Sequence, residues 1–250
     1  MDAVAFHILG RPIHWYGILV ATGFASLIVH WNFTVEWEKL PRGFGSELGF
    51  WIMLSGILGA RAAYVAAHLD RYVESPFDIL RVWEGGLVFY GGFMAATAVV
   101  IVVAKRRGSS VWALGDFAIC PVPLGHAIGR VGCLFNGCCY GAPSEAPWCL
   151  AVDAVRRHPT QLYETGLNVL VYGLLVFAYG RKKKDGQIFA LYLAAYPIGR
   201  FVIEFFRGDH RIRWLGLTVA QHLSMVFFIG ACLLWFALPK RTPSVLSRKS

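Results

Sequence analysis

A chain of 250 residues that is 56% hydrophobic and 16% charged, with a mean hydropathy of +0.52, is too apolar for an ordinary soluble domain, so the bilayer is the solvent for most of it. The 24 Lys and Arg against 15 Asp and Glu give a net charge of +9, but the positives fall in short clusters between apolar runs, without a basic stripe carrying interleaved aromatics. Anionic head groups and control of topology account for that excess, and nucleic-acid binding is set aside.

The N-terminal segment MDAVAFHILGRPIHWYG has neither a basic leader nor a small-residue cleavage site after an apolar run, so the first span is expected to stay in the membrane. A helix crosses the hydrocarbon core with about 20 mostly apolar residues, because its backbone polar groups must be satisfied internally. Seven stretches meet that requirement, near residues 15–35, 48–69, 86–104, 112–130, 162–180, 187–206 and 217–238. The fourth holds Asp116, Pro121 and Pro123, and is expected to be broken or enclosed by the others. The fold expected is therefore all-α: a polytopic membrane bundle of seven transmembrane helices forming one domain over residues 1–250.

Seven crossings put the termini on opposite sides. Alternate loops then carry thirteen Lys and Arg on one side, including KRR at 105–107, RKKK at 181–184 and Lys240, Arg241, Arg248 and Lys249 in the tail, against nine on the other. The positive-inside rule places the C-terminus in the cytoplasm and the N-terminus outside. The outside receives the longest loop, roughly 131–161, together with segments 70–92 and 207–216.

Four constellations carry candidate chemistry. In YPIGRFVIEFFR, residues 196–207, helical geometry sets Tyr196, Arg200, Glu204 and Arg207 at about 0°, 40°, 80° and 20°, on one face. Arg200 and Glu204 can pair simply as structural glue. Charge at membrane depth is costly enough to favour a polar cavity, and guanidinium suits an anionic lipid head group. The glycines of GRVGCLFNGCCYG, residues 129–141, argue against a regular helix and leave backbone N–H groups to face an anion, with Arg130 at a span end and Asn136 as donor and acceptor. GGLVFYGG, residues 85–92, presents Tyr90, and HWYG presents Tyr16; each doubles as an ordinary interfacial aromatic. In HPTQLYE, residues 158–164, His158 precedes a proline and stands in a loop as an acid or base, or as a solvated side chain.

Four of six cysteines, Cys133, Cys138, Cys139 and Cys149, fall within 133–149, on the side where disulfides persist. C-x4-C-C lacks the paired C-x-x-C and His spacing of a zinc site, so no metal is expected; a disulfide, with Cys149 as one possible partner, or small packed thiols are the readings kept. A cysteine nucleophile is a further alternative, without an identifiable base beside it.

In order and spacing, WYG at 15–17, GAR at 59–61, GGLVFYGG, Asp116, GR.G...NG...G at 129–141, HPTQLYE and R...E..R at 200–207 resemble the prolipoprotein diacylglyceryl transferase family over nearly the whole chain. The resemblance implies transfer of the diacylglyceryl group of phosphatidylglycerol to the lipobox cysteine of a pre-lipoprotein signal peptide, releasing glycerol-1-phosphate, at a bacterial plasma membrane and with no cofactor or metal. It implies that Arg130 and Arg200 handle the phosphate, that Tyr90, Tyr196 and Glu204 join them as catalytic groups, and that Tyr16, Arg61, Asp116, Asn136, Gly141, His158 and Arg207 contact substrate. Three positions depart from the family pattern: Tyr90 stands where a catalytic His is usual, Cys133 where an Asn is usual and Cys138 where a Glu is usual. The general base is thereby left open among Tyr90, His158 and His126. A lipid-binding or transport protein on the same scaffold, and a transferase with another acceptor, are the alternatives.

Overall fold

The computed structural model describes residues 3–8, 10–152, 154–209 and 213–238. Arg211 and the tail residues Lys240, Arg241, Arg248 and Lys249, counted above for topology, lie outside them. A hairpin of β1 (Val4–Ile8) and β2 (Arg11–His14) leads into α1 (Trp15–Thr34), followed by α2 (Phe44–Ala67), the short α3 (Leu69–Glu74), α4 (Phe89–Arg106), α5 (Val111–Ile119) and α6 (Val122–Phe135). A second hairpin, β3 (Leu150–Val152) with β4 (Val155–Arg157), precedes α7 (Thr160–Tyr179) and α8 (Gln187–Ile203). A third, β5 (Arg213–Trp214) with β6 (Leu217–Thr218), precedes α9 (Val219–Ala237).

Among the described residues, seven helical stretches are long and apolar enough to span: Trp15–Glu38, Phe44–Ala67, Phe89–Arg106, Val111–Phe135, Thr160–Tyr179, Gln187–Phe206 and Val219–Ala237. The fourth is interrupted at Cys120–Pro121, as its prolines require, and α6 then continues past the expected end at residue 130. GRVGCLFNGCCYG is thus helical in its first half, a correction to the reading from its glycines. A Cβ on Gly132 would meet the Tyr16 ring at 3.3 Å, so glycine there admits close approach of α1.

The chain divides into two compact units. One runs Ile28–Gly115. In it α2 and α4 pack through small residues, and a Cβ on Gly92 would lie 2.8 Å from the Gly56 carbonyl oxygen. Its core is Trp31, Val35, Phe44 and Leu48.

The other unit comprises the described residues up to Leu27 and from Asp116 onward. Cys120, Val171, Leu175, Tyr179 and Ile188 form its core between α7 and α8. At one end, Asp116 accepts from the Gly186 and Phe189 amides at 2.9 Å each and from Lys182 Nζ at 3.5 Å, capping the first turn of α8 from another helix. At the other end of α8 the last turn tightens to a 3₁₀ turn, Glu204–Phe206, and Arg207 is extended. The regular helix expected through 207 therefore stops four residues earlier. Long-range backbone hydrogen bonds explain the change: the Ala142 amide donates to the Phe206 carbonyl at 2.8 Å, and Gly141 bridges to Arg207.

Candidate active site

Glu164, fully buried in the second turn of α7, is the centre of an ionic cluster built from three further segments. Arg130 of α6 brings Nε to 2.5 Å from Glu164 Oε2, and Arg200 of α8 brings Nη1 to 2.6 Å from Oε1. Arg207, just beyond α8, reaches Oε1 at 3.6 Å. Arg200 Nη2 also pairs with Glu204 Oε2 at 2.6 Å, so the i, i+4 pair exists inside the larger network rather than instead of it. Thr218, the N-cap of α9, donates to Glu204 Oε1 at 3.0 Å, and the Asn168 amide donates to the Glu164 carbonyl at 2.7 Å.

His126 lies one turn before Arg130, which donates to its Nε2 at 3.2 Å, and its ring centroid is 5.4 Å from that of Tyr196. Tyr196 is also within hydrogen-bonding reach of Arg130. Side-chain exposure falls from 19% at Arg130 and 11% at Arg200 to 1% at Glu164. The carboxylate thus sits behind the guanidinium groups, and anything arriving from the accessible side meets positive charge first.

The loop after α6 wraps one flank of this cluster. A Cβ on Gly141 would fall 2.6 Å from the carbonyl oxygens of both His158 and Phe206, so only glycine lets the three strands of backbone meet. That crossing sets Arg207, which Asp209 holds by two hydrogen bonds of 2.9 Å. His158 lies beneath it, with Nδ1 2.9 Å from the Tyr163 hydroxyl and its ring edge-on to Phe206. All six cysteines are free thiols, so of the two readings kept for their clustering the structure has packed thiols and not a disulfide. The Cys139 thiol is held below the usual thiol range by hydrogen bonding with Cys133, against the opposing effect of burial, with Cys138 and Arg207 adding to the lowering. Burial pushes the Cys138 thiol up, and the neighbouring Cys139 raises it further.

A family model described as prolipoprotein diacylglyceryl transferase matches residues 3–237. The chain belongs to the prolipoprotein diacylglyceryl transferase family. It is similar to the phosphatidylglycerol–prolipoprotein diacylglyceryl transferase of Finegoldia magna, at 35% identity over 243 residues covering 96% of this chain and 97% of that protein. The Bordetella avium protein of the same name is 32% identical over 258 residues, 96% of each chain, and that of Methylobacillus flagellatus 34% identical over 246 residues, 92% of this chain and 93% of its own. This chain is accordingly a transferase and a multi-pass membrane protein, and the non-catalytic lipid carrier is not favoured.

Of the residues that the diacylglyceryl transferase motifs single out, Arg130, Tyr196, Arg200, Glu204 and Arg207 come together around Glu164. Tyr16, 43% exposed, packs against Gly132 of α6. Asn136 ends α6 as its C-cap and hydrogen-bonds Cys138. Asp116 is not brought to the cluster: it lies at the opposite end of α8, about 20 Å away along the helix axis, where its carboxylate is used in capping.

Arg61 and Tyr90 belong to the other unit. Arg61 is buried, and its Nε, Nη1 and Nη2 donate to the carbonyls of Ile79, Gly85 and Asp78, between the rings of Tyr64 and Tyr72. With every guanidinium nitrogen engaged by backbone, it anchors the 78–86 segment. Tyr90, in the first turn of α4, is 63% exposed and touches Phe89 edge-on.

The hub itself was missed. HPTQLYE draws attention to His158 and passes over its last residue, although a Glu inside an otherwise apolar span is as costly as an Arg there and marks a partner for one.

Proposed function

We propose that this protein transfers the diacylglyceryl group of phosphatidylglycerol to the lipobox cysteine of a pre-lipoprotein signal peptide, at the outer face of a bacterial plasma (inner) membrane. The cysteine thiolate attacks the glyceryl carbon next to phosphate; the new carbon–sulfur bond is a thioether, the carbon–oxygen bond breaks, and glycerol-1-phosphate leaves. In this reading the chain acts as one transferase domain, with its N-terminus outside and its C-terminus cytoplasmic, and the cluster around Glu164 faces the outer leaflet.

The observation that carries the reading is the layered exposure of the cluster. Three guanidinium groups face two buried carboxylates, Glu164 and Glu204, with Asp209 at the rim. With Asp209 offsetting Arg207 at the rim, the pull on a phosphodiester comes from the guanidinium groups of Arg130 and Arg200, which are more exposed than the carboxylate behind them, and not from a net charge of the cluster. Glu164 keeps Arg130 and Arg200 aimed from different helices, so little reorganisation is needed as negative charge builds on the departing phosphate. The same positive charge favours the thiolate form of the incoming cysteine. Tyr196 and Tyr16 border the head group in this scheme, and His126 helps hold Arg130, which donates to its Nε2.

Purified protein in mixed micelles with phosphatidylglycerol and a lipobox peptide tests it: thioether-linked peptide and glycerol-1-phosphate form together. Arg200→Ala still inserts, unfolds at a lower temperature because Glu164 and Glu204 lose a partner, and loses nearly all transfer per folded molecule. Robust transfer by that variant defeats the assignment.

A further inference from the structure

We propose that Cys133, Cys138 and Cys139 form a binding site for a thiophilic d¹⁰ metal ion of the zinc class, on the flank of the cluster around Glu164. The three sulfur atoms lie within 4.8 Å of one another, and Cys138 Sγ and Cys139 Sγ are 3.4 Å apart. A zinc ion about 2.3 Å from each of three sulfurs holds them about 3.8–4.0 Å apart, within that spread. Closing the set changes the sulfur separations by no more than about 1 Å, within reach of side-chain rotation and without a rebuilt loop.

The backbone is arranged to bring the thiols together. The chain reverses at Gly137, φ +67°, and Cys139 adopts φ +68°, a left-handed conformation that costs a non-glycine residue about 1–2 kcal/mol. Both halves of the turn are then fastened to the start of α7: Gln161 Nε2 donates to the Cys138 carbonyl at 2.6 Å, and Thr160 Oγ1 to the Cys139 carbonyl at 2.7 Å. The Cys138 amide donates to the Cys133 carbonyl at 3.2 Å. Strain retained and over-determined in this way is the pattern of a site rather than of a linker.

Charge also favours the assignment. Three thiolates and a divalent ion sum to −1, and Arg207 hydrogen-bonds Cys139 while Arg130 lies close enough to interact with Cys133 and Cys139. Soft thiolate donors select Zn²⁺, Cd²⁺ and Cu⁺ over oxygen-loving cations. Three protein ligands leave zinc a fourth position open to solvent.

The test uses full-length protein in detergent, purified with a non-thiol reductant and titrated with Cd²⁺ and Zn²⁺, with Mg²⁺ as the hard-cation control. One Cd²⁺ per chain is expected, seen as thiolate-to-cadmium charge-transfer absorption, with Zn²⁺ displacing it and Mg²⁺ not. Cys149→Ser/Cys232→Ser retains that site, whereas Cys138→Ser binds at least about 100-fold more weakly, since even indirect supports of a metal ligand are worth 10–100-fold. A monodisperse elution profile and an unchanged thermal midpoint for Cys138→Ser separate lost ligation from lost fold. Equal binding by Cys138→Ser, or no charge-transfer band from fully reduced protein, overturns the site. A disulfide between two of these cysteines in protein purified without reductant, with metal binding still absent after reduction, assigns the cluster to redox chemistry instead.

Discussion

Replacing Glu164 by Gln keeps its shape and removes the charge that Arg130 and Arg200 share. Hydrogen bonds to ionised acceptors contribute about 1.5–3 kcal/mol and neutral ones about 0.5–1.5 kcal/mol, so each guanidinium loses about 1 kcal/mol of positioning. Two such losses, about 2 kcal/mol, slow transfer about 30-fold if the lost orientation is expressed in the transition state. Substrate affinity moves the other way. With Glu164 neutral, three guanidinium groups face one buried carboxylate, Glu204, and an arriving phosphodiester meets less competition. Glu164→Gln is therefore expected to lower kcat and KM for phosphatidylglycerol together in the mixed-micelle assay. Glu164→Ala additionally opens a cavity and leaves buried cations unpaired, which costs about 3–5 kcal/mol and shows in thermal unfolding. If Glu164→Gln retains the wild-type kcat and KM, the carboxylate merely joins helices, and the preorganised cluster is refuted.

Three other expectations follow from particular placements. Asp116→Ala removes the carboxylate paired with Lys182, whose side chain is 1% exposed, and uncaps α8, so it destabilises the protein by about 3–5 kcal/mol in chemical or thermal denaturation while folded protein keeps its KM. Tyr90→Phe leaves the thermal midpoint unchanged because the side chain is largely exposed, and lowers transfer if the hydroxyl serves the chemistry; full activity removes Tyr90 from the reacting groups. Because the Cys139 thiol is lowered, its thiolate persists as pH falls below the ordinary thiol range, so iodoacetamide is expected to label Cys139 at pH values where an unperturbed thiol no longer reacts; peptide mapping reads the site, and labelling that disappears together with that of a free thiol reagent removes the lowering.

Much of this was legible from periodicity. Seven apolar runs correspond to seven candidate spans, and the 3.6-residue repeat puts Tyr196 and Arg200 on one face of α8, with Glu204 following in the 3₁₀ turn, where they meet the cluster. What local pattern could not supply was the partner. Arg200 reads equally well as bound to Glu204 or to an anion, and the choice depends on Glu164, 36 positions earlier, being turned toward it by α7. Arg61 illustrates the converse: a buried arginine suggests a ligand, yet its donors are engaged by carbonyls 17 to 25 residues away in a segment with no regular pattern to predict its path. The thiol cluster was illegible for the same reason, since C-x4-C-C converges only when Gly137 and Cys139 take left-handed dihedrals. The β-hairpins, each of five residues per strand or fewer, have too little alternation to stand out beside the spans.

The cluster also answers a constraint set by the membrane itself. An arginine at the centre of a spanning helix costs about 2.5–3.5 kcal/mol on insertion, so bare guanidinium groups positioned for phosphate penalise both insertion and folding. Complete neutralisation would remove that penalty and also the attraction for lipid phosphate. Placing Glu164 behind Arg130 and Arg200, and Glu204 beside Arg200, resolves the conflict by geometry: each guanidinium is compensated from its buried side and keeps donors toward the accessible one. Arg207 is added from outside the hydrocarbon-spanning helix, where its charge is less costly and where Asp209 can balance it. A lysine at position 200 would keep the charge but could not hold Glu164 and Glu204 through two separate nitrogens while presenting a third, so Arg200→Lys is expected to insert as well as wild type and yet transfer poorly.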